Sequence, residues 1–475
     1  MTAQKLENLT IFKGTLTQLV AVITGSLFAI SDGMTYTWTA PMIPYLISDE
    51  SHIKTTLHEA EWLETTVMAG ACCGLPLTIY LVDKIGRKRS LLLASSTMVV
   101  TWTAIALGTN MIYLFVARFV AGMAGDMAFV AAPMYVAEIA DKKIRGFLSG
   151  LIYLMMLIGC VLMYSVGPYL PFYTAPVIGI CVTLLEVVTF SFMPESPYYL
   201  FYKNKPEEAK NSLHFFRPKV DTDRELKDIS RAIERQKTER GRVQDLILVD
   251  SNRKGIVIMT ILNGGQHLCA ISVILMNLHM ILEAAGSIYM ESSLAAIVFS
   301  VIMLVSAGFA SLQVDKYGRK VLLISSSILT GLCLLALAVY FHLKALSYDV
   351  LSVSWIPIVS VMVYAAVFKV GLGIVPIVVT SEIFPAKMKA IGMTVADAMY
   401  VIGSIVGLQI YQWLYGSYGL YVPFYVFSVC CFLITLFTIA IVPETKGKTL
   451  EEIQNITEEV DHSKLNTIKK LNKIL

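Results

Sequence analysis

Asp83-Lys84-Ile85-Gly86-Arg87-Lys88 returns in the second half of the chain as Asp315-Lys316-Tyr317-Gly318-Arg319-Lys320. Each copy stands between two long apolar runs. A charge at the centre of a bilayer costs roughly 2.5–3.5 kcal/mol, and each hexapeptide carries four. Both therefore mark tight loops at a membrane surface. The duplication divides the chain into two related membrane halves in series.

Composition agrees. Of the 475 residues, 56% are hydrophobic and 15% charged, and the mean hydropathy is +0.66. Soluble chains carry about 25% charge, so the lipid bilayer is the expected solvent. The net charge of +3 comes with no basic stripe interleaved with aromatics, which argues against a nucleic-acid partner. Cys72, Cys73, Cys160, Cys181, Cys269, Cys333, Cys430 and Cys431 all fall inside apolar runs, without zinc-ligand spacing or a disulfide framework. No catalytic constellation, metal set or cofactor motif is legible. The first apolar run is long and lacks a small-residue cleavage site, so it reads as a membrane helix and not as a signal peptide.

Stretches of about twenty mostly apolar residues number twelve. Six run approximately 16–36, 61–82, 91–107, 111–139, 147–168 and 172–193. Six more run approximately 255–282, 292–314, 321–341, 353–380, 392–415 and 420–442. The expected fold is all-α, with two pseudo-symmetric six-helix bundles over 1–200 and 255–442. A cytoplasmic helical linker over 201–254, helical from Pro206 to Arg240, joins them, and a tail over 443–475 follows. Short loops on one side hold twelve lysines and arginines, from Lys84 to Lys389, against only Lys54 and Lys344 on the other. The positive-inside bias places the rich side and both termini in the cytoplasm. The sequons at Asn8 and Asn455 then face inward and stay unmodified. A basic amphipathic helix from His462 to Leu475 is suited to an anionic lipid surface.

Two further phrases recur in the same order. Pro133-x-Tyr135-x-x-Glu138-Ile139 with Arg145-Gly146 is matched by Pro376, Glu382-Ile383 and Lys389; Pro194-Glu195-Ser196 is matched by Pro443-Glu444-Thr445. A parallel six-plus-six repeat is a transporter architecture. With Arg118-x-x-x-Gly122, Ser381-Glu382-Ile383-Phe384-Pro385 and Pro443-Glu444-Thr445-Lys446-Gly447, these phrases resemble the signatures of the sugar porter family of the major facilitator superfamily. The nearest flavour is the insect facilitated trehalose transporter group.

The resemblance implies a facilitative carrier for trehalose or a hexose-like solute in the plasma membrane, working by alternating access, with a monomer as default. It also implies two gating clusters: Asp83, Arg87, Glu138 and Arg145 in one half, Asp315, Arg319, Glu382 and Lys389 in the other, with Glu195 and Glu444 nearby. Such clusters would hold the cytoplasmic side shut. The alternative is that these charges only set topology.

At the substrate positions the chain departs from the family. The Gln-Gln-Leu-Ser-Gly-Ile-Asn phrase reads Gln266-His267-Leu268-Cys269-Ala270-Ile271-Ser272. Tyr153 stands at the fifth-helix glutamine position, Lys369 where hexose carriers often place a glutamate, and Tyr400 in place of an asparagine. Asn263, Gln266, His267 and Asn277 are expected on one broad helical face, where amides can pair with sugar hydroxyls. Polar bonding between neighbouring helices is the other use of such groups. Asp32, Asp126, Lys369 and Asp397 are charges inside apolar runs, each needing a partner or water. Asp126 and Lys369 align between the halves, which suggests a cavity pair. Proton-coupled symport through Asp32 or Asp126, and a sensor that binds solute without moving it, are the competing functions.

Overall fold

The structure is a computed structural model that describes residues 15–141, 144–218, 226–227, 229–231, 233–234, 244–384 and 388–446; the side chains of 245, 247, 250, 311–316, 381, 389 and 390 fall outside it. The described residues form helices and connecting turns. They make two compact units: one runs to Thr238 and takes in Leu275–Met280, the other holds Glu239–Ile274 and continues from Ile281.

The first unit contains α1 (Thr15–Thr37), α2 (Thr39–Ile47), α3 (Leu57–Ile85), α4 (Arg87–Leu107), α5 (Met111–Ile139), α6 (Arg145–Val166), α7 (Thr174–Phe190), α8 (Pro197–Tyr202) and α9 (Pro206–Phe216). In sequence beyond them come α10 (Asp245–Leu248), α11 (Asp250–Leu268), α12 (Ile271–Ala285), α13 (Ser292–Tyr317), α14 (Arg319–Ala345), α15 (Trp355–Val370), α16 (Val375–Ile383), α17 (Lys389–Tyr418) and α18 (Tyr421–Ala440). Eleven helical stretches among the described residues are long and apolar enough to cross a membrane, and α7 is a shorter apolar helix. Its 17 residues span about 25 Å at 1.5 Å each, a little under the hydrocarbon thickness.

Local sequence sets the helix starts. Thr56 and Glu59 close a capping box on α3: Thr56 Oγ1 accepts from Glu59 N at 3.3 Å, and Glu59 Oε2 accepts from Thr56 N at 2.9 Å. The Asn110 carbonyl oxygen caps α5 by accepting from Ile112 N and Tyr113 N. Packing relies on small residues, because lipid tails offer no hydrophobic drive between helices. A Cβ on Gly122 would lie 1.9 Å from the Val67 carbonyl, so α3 and α5 touch backbone to backbone. Gly33 and Gly159 do the same for α1 and α6, each 2.0 Å from the opposing carbonyl.

Three spans are interrupted where the periodicity predicts unbroken helices. α1 turns at Ser26, where the amides of Ser26 and Ala29 bond three residues back. The seventh span breaks between α11 and α12, with Ala270 in the left-handed region at φ +70°. The tenth breaks between α15 and α16; there Ser326 Oγ donates to Val367 O and accepts from Leu372 N, serving groups that the break frees.

The linker also differs from expectation. Its helix α9 ends at Phe216, ahead of Pro218, so the expected helix from Pro206 is interrupted there, while residues 226–227, 229–231 and 233–234 are again helical. Arg217 instead donates to the Ile139 and Ala140 carbonyls, and Gln18 bridges Phe216 O and Asp141 N. The basic tail and both sequons lie outside the described residues. All eight cysteines are free, but Cys73 and Cys181 are exposed and not packed in the interior.

Candidate functional site

Each unit carries one charged cluster where its repeated loop turns. In the first unit α3 ends and α4 begins at Gly86, with φ +102°. The turn brings Arg87 against α5, where Nε and Nη2 both lie 3.1 Å from Glu138 Oε1. Asp83 flanks the pair at 3.8 Å and is itself exposed. Ser196 Oγ donates to the other Glu138 oxygen. The Arg87 guanidinium lies over the Tyr199 ring, whose hydroxyl donates to Lys84 O at 2.8 Å. Glu195 accepts from Lys88 N at 3.0 and 3.2 Å, and Lys88 Nζ donates to Ser191 O at 2.7 Å.

The second unit repeats this geometry. Arg319 Nη2 meets Glu382 Oε1 at 2.9 Å. Glu444 accepts from Arg319 N and Lys320 N, each at 3.0 Å, and Lys320 Nζ donates to Ile439 O at 2.8 Å. The Asp315 and Lys389 side chains lie outside the described residues. One correspondence is incomplete: Thr445 takes the place of Ser196, yet Thr445 Oγ1 and Glu382 Oε2 are buried without a hydrogen-bond partner among the described residues.

Seven of the expected gating residues, Asp83, Arg87, Glu138, Glu195, Arg319, Glu382 and Glu444, lie in these clusters. Arg145 stands apart: its Nη2 donates to Ala140 O at 3.3 Å, and among the described residues no ion pair joins it to Glu138. Burial dominates at Glu195, raising its carboxyl above the ordinary glutamate value against the opposing pull of the Lys88 and Ser196 amides. At the matching Glu444 burial also raises, but the Lys446, Arg319 and Lys320 amides outweigh it and the net direction is down.

The second polar feature is the break at Ala270. Cys269 N and Ala270 N close a tight end on α11, and Tyr364 OH donates to the freed Cys269 carbonyl at 2.7 Å. Around this break, in the second unit, His267 Nδ1 lies 2.6 Å from Ser272 Oγ, which lies 2.8 Å from Ser404 Oγ. The Tyr400 ring meets the His267 ring edge-on at 4.2 Å. Gln266 Nε2 and His267 Nε2 are buried with no hydrogen-bond partner among the described residues. Asn263 Nδ2 donates to Met259 O and to Thr380 Oγ1, both at 2.9 Å. The Lys369 ammonium lies over the Phe368 ring.

Asn277 departs from the expected single face, because the left-handed residue re-aims α12. Its Nδ2 donates to Glu64 Oε2 at 3.0 Å in the first unit. The same short segment receives Tyr164 OH on Leu275 O at 2.6 Å and Thr39 Oγ1 on Met276 O at 3.3 Å. In the first unit Thr78 Oγ1 donates to Asp126 Oδ2 at 2.9 Å, and Tyr153 is half-buried on α6. Fully buried Arg118 donates to Thr35 O and to Leu63 O, and its charge is felt by Glu64 and Asp32.

Sequence reasoning missed Ser196, Ser404, Thr380 and Glu64. Ser196 was signalled as a cap by the Pro197 that follows it. Ser404 lies one helical turn from Tyr400 on α17. Glu64 had no local signal, since its partner comes from Asn277.

Comparison with known proteins fits this arrangement. The family model for "Sugar (and other) transporter" matches residues 17–457. The chain is 28% identical over 447 residues to the facilitated trehalose transporter Tret1 of Drosophila virilis, covering 92% of this chain and 48% of that one. It is 27% identical over 442 residues to the protein of the same name from Apis mellifera ligustica, covering 92% and 87%. It thus spans about half the length of the fly relative. Among solved structures, the inward open xylose transporter XylE from E. coli superposes with a TM-score of 0.73 at 22% identity, over 93% of this chain and 99% of that one. The proton:xylose symporter XylE bound to 6-bromo-6-deoxy-D-glucose gives 0.72 at 21%, over 94% and 99%. The fold is that of the major facilitator superfamily, and the twelve expected spans accord with it.

Proposed function

The chain belongs to the sugar (and other) transporter family, and we propose that it is a facilitative carrier that moves a sugar-like solute, trehalose or a hexose, across the plasma membrane by alternating access. The carrying observation is the polar cluster at the Ala270 break. Gln266 Nε2 and His267 Nε2 are buried and unpartnered, beside the Ser272–Ser404 hydroxyls and the Tyr400 ring. An unmade buried hydrogen bond costs about 1–3 kcal/mol, so such groups suit a polyhydroxylated ligand that arrives to complete them. Asn263 and Lys369 of the same unit are its secondary candidates. The names of the trehalose and xylose relatives support the same solute class.

The two charged clusters act as latches under this reading. They rearrange as the cytoplasmic side opens, and the excess of cations there supports inward-facing termini. Equilibrium binding of labelled mono- and disaccharides to the purified protein tests the site. A saturable sugar signal that Gln266→Leu weakens supports it; no saturable signal from any sugar rejects it.

Coupling to protons is a second reading, favoured by Asp32, a carboxyl inside a membrane-spanning helix. Uptake driven by an imposed pH gradient and lost in Asp32→Asn identifies it; uptake indifferent to the gradient leaves the facilitative reading.

A further inference from the structure

Glu186 takes no part in either latch or in the sugar cluster. It sits on α7, fully buried, and neither of its oxygens closes a hydrogen bond. The Ser95 hydroxyl on α4 and the Phe28 amide on α1 face it without reaching hydrogen-bond geometry. Ser95 is fully buried and its hydroxyl is also unpartnered. Phe28 is the second residue of the helix that restarts after the turn in α1, and the cap position there is Ser26. Its hydroxyl, 1% exposed, caps nothing and has no partner. Unpartnered polar side chains thus lie on the broken helix α1, on α4, and on α7, which packs against both.

The charge balance is also incomplete. No lysine or arginine makes an ion pair with Glu186 among the described residues. On α4 the cations are Arg87, Lys88 and Arg89 at its start; Arg87 is held by Glu138, Lys88 by Ser191 O, and Arg89 is exposed. On α1 the one other charge is Asp32, whose Oδ1 packs against Gly125. On α7 the other titratable group is Cys181. A bare carboxylate removed from water without a counter-charge is costly by many kcal/mol.

We propose that Glu186, with the Ser95 hydroxyl beside it, is the seat of a bound monovalent cation, a proton or a sodium ion, next to the restart of α1 after its break. Both supply the missing positive charge, and both are held by hard oxygen atoms. Broken membrane helices are where coupling ions are commonly held, since the interruption frees backbone polar groups. The bound cation ties α1, α4 and α7 together at the turn in α1. Movement of α1 about that turn is therefore linked to cation concentration, by at most tenfold per tenfold change for one ion. The solute site plays no part in this claim, and its test needs no transport.

The full-length protein in lipid nanodiscs is compared with Glu186→Gln in sodium chloride and in choline chloride of equal ionic strength. If the cation is a proton, the infrared carbonyl stretch of a protonated carboxyl is present in the wild type at neutral pH and lost in the variant. If it is sodium, the wild-type Tm rises with sodium over choline and the rise disappears in the variant. Absence of both signatures overturns the proposal. Should Glu186→Gln not fold, wild-type protein is treated with dicyclohexylcarbodiimide, which adds to protonated carboxyls in apolar surroundings. A Glu186 adduct at neutral pH in choline supports the proton. No adduct, together with a Tm indifferent to sodium, again overturns the site.

Discussion

The Glu195 carboxylate accepts the backbone amide of Lys88 across 107 positions of sequence, at 3.0 Å and 3.2 Å from its two oxygens. It serves as the N-cap that Gly86 cannot provide for α4. Glu444 does the same for α14, on the amides of Arg319 and Lys320. Both turns need glycine on two counts. Gly86 and Gly318 have φ of +102° and +89°, and a Cβ on either would lie 2.4 or 2.9 Å from its glutamate.

The two caps respond oppositely to pH. Glu444 has a lowered folded value, so its stabilisation is complete above the ordinary glutamate range and is lost as pH falls through the folded value. Glu195 has a raised value, so its contribution is greatest below that range and declines as pH rises through the folded value. Thermal unfolding across pH reads this directly. The Tm gap between wild type and Glu444→Gln widens from acid to neutral pH, whereas the gap for Glu195→Gln moves in wild type's disfavour. Parallel gaps contradict the assignment.

Arg87 and Arg145 are unequal, although both belong to the repeated signatures. Arg87→Ala removes one side of a half-buried pair, a change that costs about 1–3 kcal/mol where the partner charge is left alone. Arg145 holds one carbonyl at 3.3 Å, so Arg145→Ala costs less than about 1 kcal/mol. Apparent Tm checks the order. Labelling of a cysteine placed beside Glu138 checks the latch: it accelerates in Arg87→Ala and Glu138→Ala, and stays unchanged in Arg145→Ala.

Ala270 carries a left-handed backbone at φ +70°, which disfavours a side chain by about 1–2 kcal/mol. Ala270→Gly relieves this and raises Tm, while Ala270→Val lowers it. Equal effects of the two substitutions mean that the break is not a strained hinge.

Much of the fold was legible because the bilayer imposes a single pattern. Apolar runs, the twin Asp-Lys-x-Gly-Arg-Lys turns and the Pro-Glu-Ser and Pro-Glu-Thr phrases located the helices, and the family resemblance paired Arg87 with Glu138 and Arg319 with Glu382. Although Gly371, Gly373 and Pro376 do mark the third of them, the breaks escaped because hydrophobicity continues unchanged through Ser26, Ala270 and Gly371. Asn277 was misplaced for that reason. The capping role of Glu195 was hidden because its partners are backbone amides far along the chain. Glu64 and Glu186 were invisible as features, since each acquires its meaning only from the helices that bury it.

Solute counterflow in proteoliposomes tests the carrier reading most directly. Vesicles preloaded with unlabelled trehalose or glucose are diluted into trace labelled sugar. The account predicts transient accumulation of label that Gln266→Leu diminishes about tenfold, the equivalent of one hydrogen bond of about 1.4 kcal/mol. Label entering no faster than into protein-free vesicles, for every mono- and disaccharide tried, contradicts it.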